Sequence, residues 1–373
     1  MEELLMYIEL IEDKRQQTKV KHKLLDIVVI VLFAKLSNAD DWEEIEDFAV
    51  YNENYLKKYI ELKNGIPSHD TIQRVMSNID PRHIQKLYDK WNELLSKDEG
   101  EKLKKIICID GKTIRGSKSK NHKAQHIVSA WCDNDGFCLW QKSVEEKTNE
   151  ITAIPRLINT IMIKGAVITI DAIGTQIAIA EKIKEKRADY VLAVKENQSN
   201  LYNNIKDFFE DEEFLNAIKE DGNYKKTVDK AHSQSETREY YQTNNIKWLD
   251  GKEKWKGIKS IGMISKTIIK DNKKTVEKRY YISSLKTNIE LFSKAVRQHW
   301  SVEIMHWHLD VTFKEDANKT QDKTAVQNLN IINKWCLSIL KIFQIGNKKR
   351  SMKKKRFCIS MNTEKFLEQI INL

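Results

Sequence analysis

No two cysteines in this 373-residue chain stand as a Cys-x-x-Cys pair. The five present, Cys108, Cys132, Cys138, Cys336 and Cys358, are odd in number and scattered. That excludes a disulfide framework or a thiolate zinc site and reads as buried, reduced thiols. A membrane span is missing as well. The most apolar stretch, Leu24 to Leu36, is short and contains Asp26 and Lys35, which suits a buried helix. Met1-Glu2-Glu3 lacks the basic start of a signal peptide, so a cytosolic protein without a membrane partner is expected. Internal repeats and low-complexity segments are absent too.

Hydrophobic residues make up 40% of the chain and include nine Trp, enough for a globular protein of two or three structural units. Lysine and arginine number 64 against 54 acids, a net charge of +10. The excess favours a polyanionic partner, most simply nucleic acid. A Lys-rich solvated surface explains it equally well, and charge alone leaves both open.

Residues 1 to about 100 read as all-helical. Leu24, Ile27, Val28, Val31, Leu32 and Leu36 recur at helical spacing. Gly65-Ile66-Pro67-Ser68-His69-Asp70-Thr71 is a turn feeding a helix that Ser68 can cap. It resembles a helix-turn-helix that would turn Gln73 and Arg74 toward DNA bases; an ordinary helical hairpin is the other reading. A charged segment, Lys97 to Lys105, marks a boundary.

The pattern then becomes strand-rich. Ile106-Ile107-Cys108-Ile109 is a buried strand expected to end at Asp110. His126 to Trp131 and Phe137 to Val144 flank Asp133-Asn134-Asp135-Gly136, a hairpin turn. A helix from about Glu150 to Ile161 precedes a second buried strand, Ala166 to Ile170, which ends at Asp171. A helix and a third strand, Ala188 to Val194, ending at Lys195, complete a β-β-β-α-β-α-β mixed sheet flanked by helices. Residues 205 to 285 read as a polar, mostly β insertion, followed by a strong helix from Asn288 to Phe313. Lys348 to Arg356, with seven basic residues in nine, opens a basic tail over 346–373.

Gly111-Lys112-Thr113 ends like a P-loop. The Gly that motif needs five residues earlier is Ile106, and a hairpin follows instead of a helix. His299, Glu303, His306 and His308 contain no His-Glu-x-x-His, which argues against a zinc protease. Asp110 and Asp171 close two strands of one sheet. If these are neighbours, two hard oxygen ligands meet and suit Mg²⁺. The third is sought on the late helix. There Val296, Trp300, Ile304, Trp307 and Val311 form a candidate buried stripe, with His299, Glu303, His306 and Asp310 beside it. Glu303 borders the packed face; Glu315 is the rival acid.

These residues resemble the DDE transposases of bacterial insertion sequences, in the H-repeat-associated branch. The likeness is carried by Ile109 to Ser117, Asp171-Ala172 with Gly174-Thr175-Gln176, Ala188 to Lys195, Arg297 to Glu303, His306 to Asp316, and Gly65 to Thr71 in the associated N-terminal domain. It runs from about residue 10 to residue 345. It implies a helical N-terminal domain over 1–100, expected to bind DNA, and a ribonuclease H-like α/β catalytic domain over 101–345. Asp110, Asp171 and Glu303 are the implied metal-binding triad, holding two Mg²⁺ or Mn²⁺ ions for DNA cleavage and strand transfer. The implied partners are the element's terminal inverted repeats and target DNA, engaged by a homodimer in the bacterial cytoplasm, at the nucleoid. Where wider relatives carry Tyr, Arg and Lys around the helix Glu, this chain has Val296, His299 and Asp310. Phosphate contacts are therefore expected from Lys112, Arg115, Lys195, Arg297 and His299.

Overall fold

A computed structural model describes residues 11, 13, 15–95, 104–120, 123–132, 136–144, 150–231, 234–271 and 273–372. The expected turn residues 133–135 and most of the boundary at 97–105 lie outside the described residues, as does His232, which with Glu236 and Arg238 is expected from its place in the insertion to hold hairpin or flanking DNA. Five helices come first: α1 (Leu24–Leu36), α2 (Trp42–Tyr51), the short α3 (Glu53–Leu56), α4 (His69–Met76) and α5 (Pro81–Leu95). Strands β1 (Ile106–Ile114), β2 (Gln125–Cys132) and β3 (Phe137–Val144) follow. Then come α6 (Glu150–Thr160), β4 (Val167–Ile170), α7 (Ile177–Glu185) and β5 (Asp189–Val194).

The remaining elements are α8 (Ser199–Glu210), α9 (Glu212–Glu220), β6 (Tyr224–Ala231), β7 (Gln234–Thr243), β8 (Ser260–Lys270) and β9 (Lys273–Ser283). Helices α10 (Ile289–Val311), α11 (Lys323–Ile342), α12 (Met352–Met361) and α13 (Thr363–Ile371) close the described chain.

Among the described residues all nine strands join one sheet in the order β3-β2-β1-β4-β5-β9-β8-β7-β6. The first five, with β1 antiparallel to β2 and parallel to β4, form the expected ribonuclease H-like arrangement. The segment at 205–285 is not a separate body, because β9 pairs antiparallel with β5 and extends the sheet. Helices α8 and α9 and strand β6 went unread in the sequence; α8 does carry a helical stripe, Leu201, Ile205, Phe208 and Phe209, all buried, whereas β6 sets Tyr224 and Val228 among lysines.

Side-chain alternation sorts β1 between two cores. Ile107 and Ile109 join the layer that includes Ile154, Leu157, Ile179 and Ile183 of α6 and α7. Ile106 and Cys108 join the layer that includes α10, α11 and the N-terminal helices. Every second residue of β1, Asp110 and Lys112 included, therefore faces α10.

Two packing relations go beyond the sequence pattern. Helices α1 to α5 share one core with α11, α12 and α13 instead of standing alone, since α11 packs on α1, α4, α5 and β3. The basic tail is also folded: α12 buries Lys355 and Arg356, which the run of like charges concealed. The helix-turn-helix reading fails on spacing. The helix before α4 ends at Leu56, leaving residues 57–68 as the connection, where such a motif needs three or four residues. Gln73 is half-buried and Arg74 exposed. No helix among the described residues is long and apolar enough to cross a membrane.

Candidate active site

The β1–β4 ladder ends at Ile109↔Ile170. Asp110 and Asp171 are each the next residue, so two acids follow directly on the last paired residues of neighbouring strands, whose backbones run about 4.8 Å apart. β1 does not stop at Asp110, as the apolar run suggested. It continues to Ile114 because Gly111 to Ile114 keep pairing with β2. Asp171 opens the loop into α7, and its Oδ1 accepts from the Gly174 amide at 3.1 Å.

Helix α10 lies across this edge, turned from the expected orientation. Val296 of the expected stripe is buried, but Ile304, Trp307 and Val311 are 53%, 55% and 47% exposed. The packed face is Phe292, Ala295, Val296, Val302, Met305 and Leu309. His299 and His306 share this face, which amounts to a rotation of about one residue, or about 100°. Hydrophobic periodicity missed it because two imidazoles occupy inward positions with polar partners of their own. His299 Nδ1 meets Thr169 Oγ1 of β4 at 3.0 Å, and His306 Nδ1 lies 3.4 Å from Asp110 Oδ2.

The electrostatics follow from this crowding. Burial works to raise the Asp110 carboxyl, but the His306 hydrogen bond, the two imidazoles and the Gly111 amide outweigh it and hold it below the usual carboxylate range. Asp171 is pushed up by burial and by the charges of Asp110 and Glu150, against a pull from Lys195. Glu303, exposed at the rim, is raised by partial burial and then by Asp110 and Asp171, against Arg279 and His306. The three acids thus stand close enough to feel one another's charge. Burial holds His299 below the ordinary imidazole value, a neutral ring bonded to Thr169 and not an exposed phosphate contact.

The donor set is hard oxygen, and two of its three carboxyls are raised, chiefly by burial and then by like-charged neighbours. This fits a divalent cation such as Mg²⁺ or Mn²⁺. Among the described residues no three His, Cys, Asp or Glu side chains stand ready-gathered around one point. Asp110 is turned to His306 instead.

Lys112, expected at the surface, is buried. Its ammonium is 8% exposed and lies 2.7 Å from Asp310, 3.1 Å from Glu315 and 3.3 Å from Asp316, so it is an internal ion-pair centre and not a surface phosphate contact. The same cluster occupies Glu315, whose Oε1 also accepts from Asn330 and Asn333. Arg115 is 85% exposed, 3.8 Å from Asp316. Lys195 and Arg297 are exposed as well, and Lys195 is near enough to act on Asp171.

A buried pair on the opposite face of β1 had no sequence signal, its members being 24 residues apart. His126 Nε2 meets Glu150 Oε1 at 2.6 Å, and His126 Nδ1 meets Thr113 Oγ1 at 2.8 Å. Both side chains lie over Gly111, where a Cβ would collide with each of them. Only glycine leaves that space next to Asp110. Gly111→Ala is expected to cost about 1–3 kcal/mol by overpacking and to displace Asp110, read as a lower thermal midpoint with a larger proportional loss of any cleavage. An unchanged midpoint would refute it.

Residues 5–92 match the family model described as DDE_Tnp_1-associated, and residues 101–339 match that of the transposase DDE domain. The "Putative transposase YncI" of Escherichia coli O157:H7 is 41% identical over 379 residues, covering 100% of this chain and 95% of that protein. The "H repeat-associated putative transposase YhhI" of Escherichia coli (strain K12) is 38% identical over 365 residues, with 95% of each chain covered. The "Inactive transposase YbfQ" of the same strain is 46% identical over 77 residues, or 21% of this chain and 92% of that one. A solved piggyBac transposase synaptic complex with hairpin DNA aligns at a TM-score of 0.45 and 11% identity over 99% of this chain and 78% of that chain. On the two family models and full-length relatives, the chain belongs to the DDE transposase family, among the H repeat-associated proteins.

Proposed function

We propose that the protein is an insertion-sequence transposase that cleaves DNA at its element's terminal inverted repeats and joins the ends to target DNA, using Asp110, Asp171 and Glu303. The observation that carries this is the ladder end at Ile109↔Ile170, which sets two carboxylates side by side with a third from α10 sharing their field. Divalent ions held by these acids would neutralise charge at a scissile phosphate and lower the pKa of the attacking hydroxyl.

The chain's own part is to orient and to hold. His306 fixes Asp110 through Oδ2, and the Gly174 amide fixes Asp171. Lys195, Arg297 and Arg115 offer cations at the rim for phosphates. In the first step a water oxygen bonds to the phosphorus and the element's 3′ oxygen leaves with a proton. In the second, that 3′ hydroxyl attacks a target phosphodiester, whose own 3′ oxygen departs. Two ends must meet, so a dimer on DNA is the working assembly.

The test supplies wild-type protein, Mg²⁺, target DNA and duplexes ending in the inverted repeats that flank the coding region. Nicks exposing 3′ hydroxyls, followed by covalently joined products, are expected. Nicks without joining would make the protein a nuclease, and binding without cleavage would make it a silent relic.

A further inference from the structure

The outer half of the β6–β9 sheet projects beyond its covering helices, and its two faces differ. On the α10 face the cations are spent. Arg238 pairs with Asp229 and Glu236, Lys266 lies 3.3 Å from Glu236, and Arg279 lies 2.7 Å from Glu277. Arg279 and Lys266 also cap the Trp300 ring, at 4.4 and 5.9 Å from its centroid.

The other face is built from three successive cross-strand rows. They are Lys226, Glu239, Ser265 and Lys278; Val228, Thr237, Thr267 and Val276; and Lys230, Ser235, Ile269 and Lys274. Lysines thus occupy the four corners, and small hydroxyl-bearing and β-branched residues fill the middle. Val228, Ile269 and Val276 are 51%, 47% and 53% exposed. The single acid, Glu239, accepts from the Tyr224 hydroxyl at 2.7 Å. Among the described residues, no carboxylate pairs with the four corner lysines.

We propose that this platform docks duplex DNA away from the triad; the inference rests on the DNA reading above. Three strand intervals across and four residues along place the corner Cα atoms about 14 Å apart in each direction. The major groove is about 12 Å wide, so lysines on facing edges reach the phosphate rows on its two sides. Ser and Thr hydroxyls between them suit phosphate and sugar contacts, which position a duplex without reading its sequence. A second copy of the same face is excluded as the occupant, because four unpaired lysines would meet their like.

The test compares wild type with a variant carrying Lys226→Ser, Lys230→Ser, Lys274→Ser and Lys278→Ser. A control carries Lys63→Ser, Lys164→Ser, Lys247→Ser and Lys256→Ser. The probe is a long mixed-sequence duplex at several salt concentrations. The platform variant is expected to bind about 10- to 100-fold more weakly, with a salt slope shallower by about three to four, as loss of four phosphate contacts requires. Its thermal midpoint should stay unchanged, since all four side chains are exposed. Affinity and slope equal to wild type would overturn the proposal. So would an equal effect in the control, which would mean net charge alone, or a loss of self-association or acidic-peptide binding with DNA binding intact. A reduced slope with a wild type that never cleaves would uphold the platform while sinking the catalytic reading.

Discussion

Asp171→Asn is expected to lower cleavage by about a hundred- to a thousandfold, the scale for losing a group aimed at transition-state charge, while making the metal-free protein more stable at neutral pH. The second effect follows from the direction of its shift. Burial and the charges of Asp110 and Glu150 hold the Asp171 carboxyl above the usual range in the folded chain. Between the ordinary value and the raised one, the folded state binds more protons than the unfolded state. Stability therefore falls as pH rises through that window, and the full cost remains above it. Asparagine keeps an oxygen for the Gly174 amide and removes the charge.

The gain should vanish at acid pH, where both states of the wild type are protonated. It should also reverse when Mg²⁺ is added, because only wild type then gains a bound ion. Thermal denaturation with a chelator and with Mg²⁺, at both pH values, reads all three. A variant less stable than wild type at neutral pH without metal would contradict the electrostatic account, and one that cleaves normally would remove Asp171 from the triad.

Arg356→Met is expected to cost about 3–5 kcal/mol, the range for breaking a buried ion pair. Arg356 is 0% exposed. Its guanidinium donates to the Lys35 carbonyl at 2.9 Å, to Asp40 Oδ1 at 2.9 Å, to the Ala39 carbonyl at 3.4 Å and to the Thr312 carbonyl. It also stands 4.5 Å from the Phe313 ring centroid. One side chain from α12 thus joins the α1–α2 corner to the end of α10, the helix that carries Glu303 and His306. Removing it leaves three carbonyls short of a donor and Asp40 with Lys35 and Lys314 alone. Arg356→Lys should recover only part of the loss, because an ammonium cannot reproduce the planar fork. Urea unfolding tests this; a change below about 1 kcal/mol for Arg356→Met would show that the linkage is dispensable.

The sheet core and the two aspartates were legible because buried parallel strands read as continuous apolar runs, and an acid directly after such a run stands out. The family likeness extended that reading to Glu303. The side of α10 that faces the sheet was not legible. Ile304, Trp307 and Val311 satisfy a helical period, yet water covers them. The inward places went to His299 and His306, whose partners Thr169 and Asp110 come from other strands.

Lys112 looked like a phosphate contact from its place after Asp110. Its charge is settled instead by Asp310, Glu315 and Asp316, some 200 positions away, as the Lys112–Asp316 bond at a separation of 204 shows. Arg356 was hidden within a run of lysines for the same reason. Local pattern by itself determined most of the strands and helices and which acids follow apolar runs, since period and turn chemistry are written within a few residues. Only the tertiary structure decided which charges are spent on one another and which remain free for a ligand, because charge pairing depends on distance in space and not along the chain.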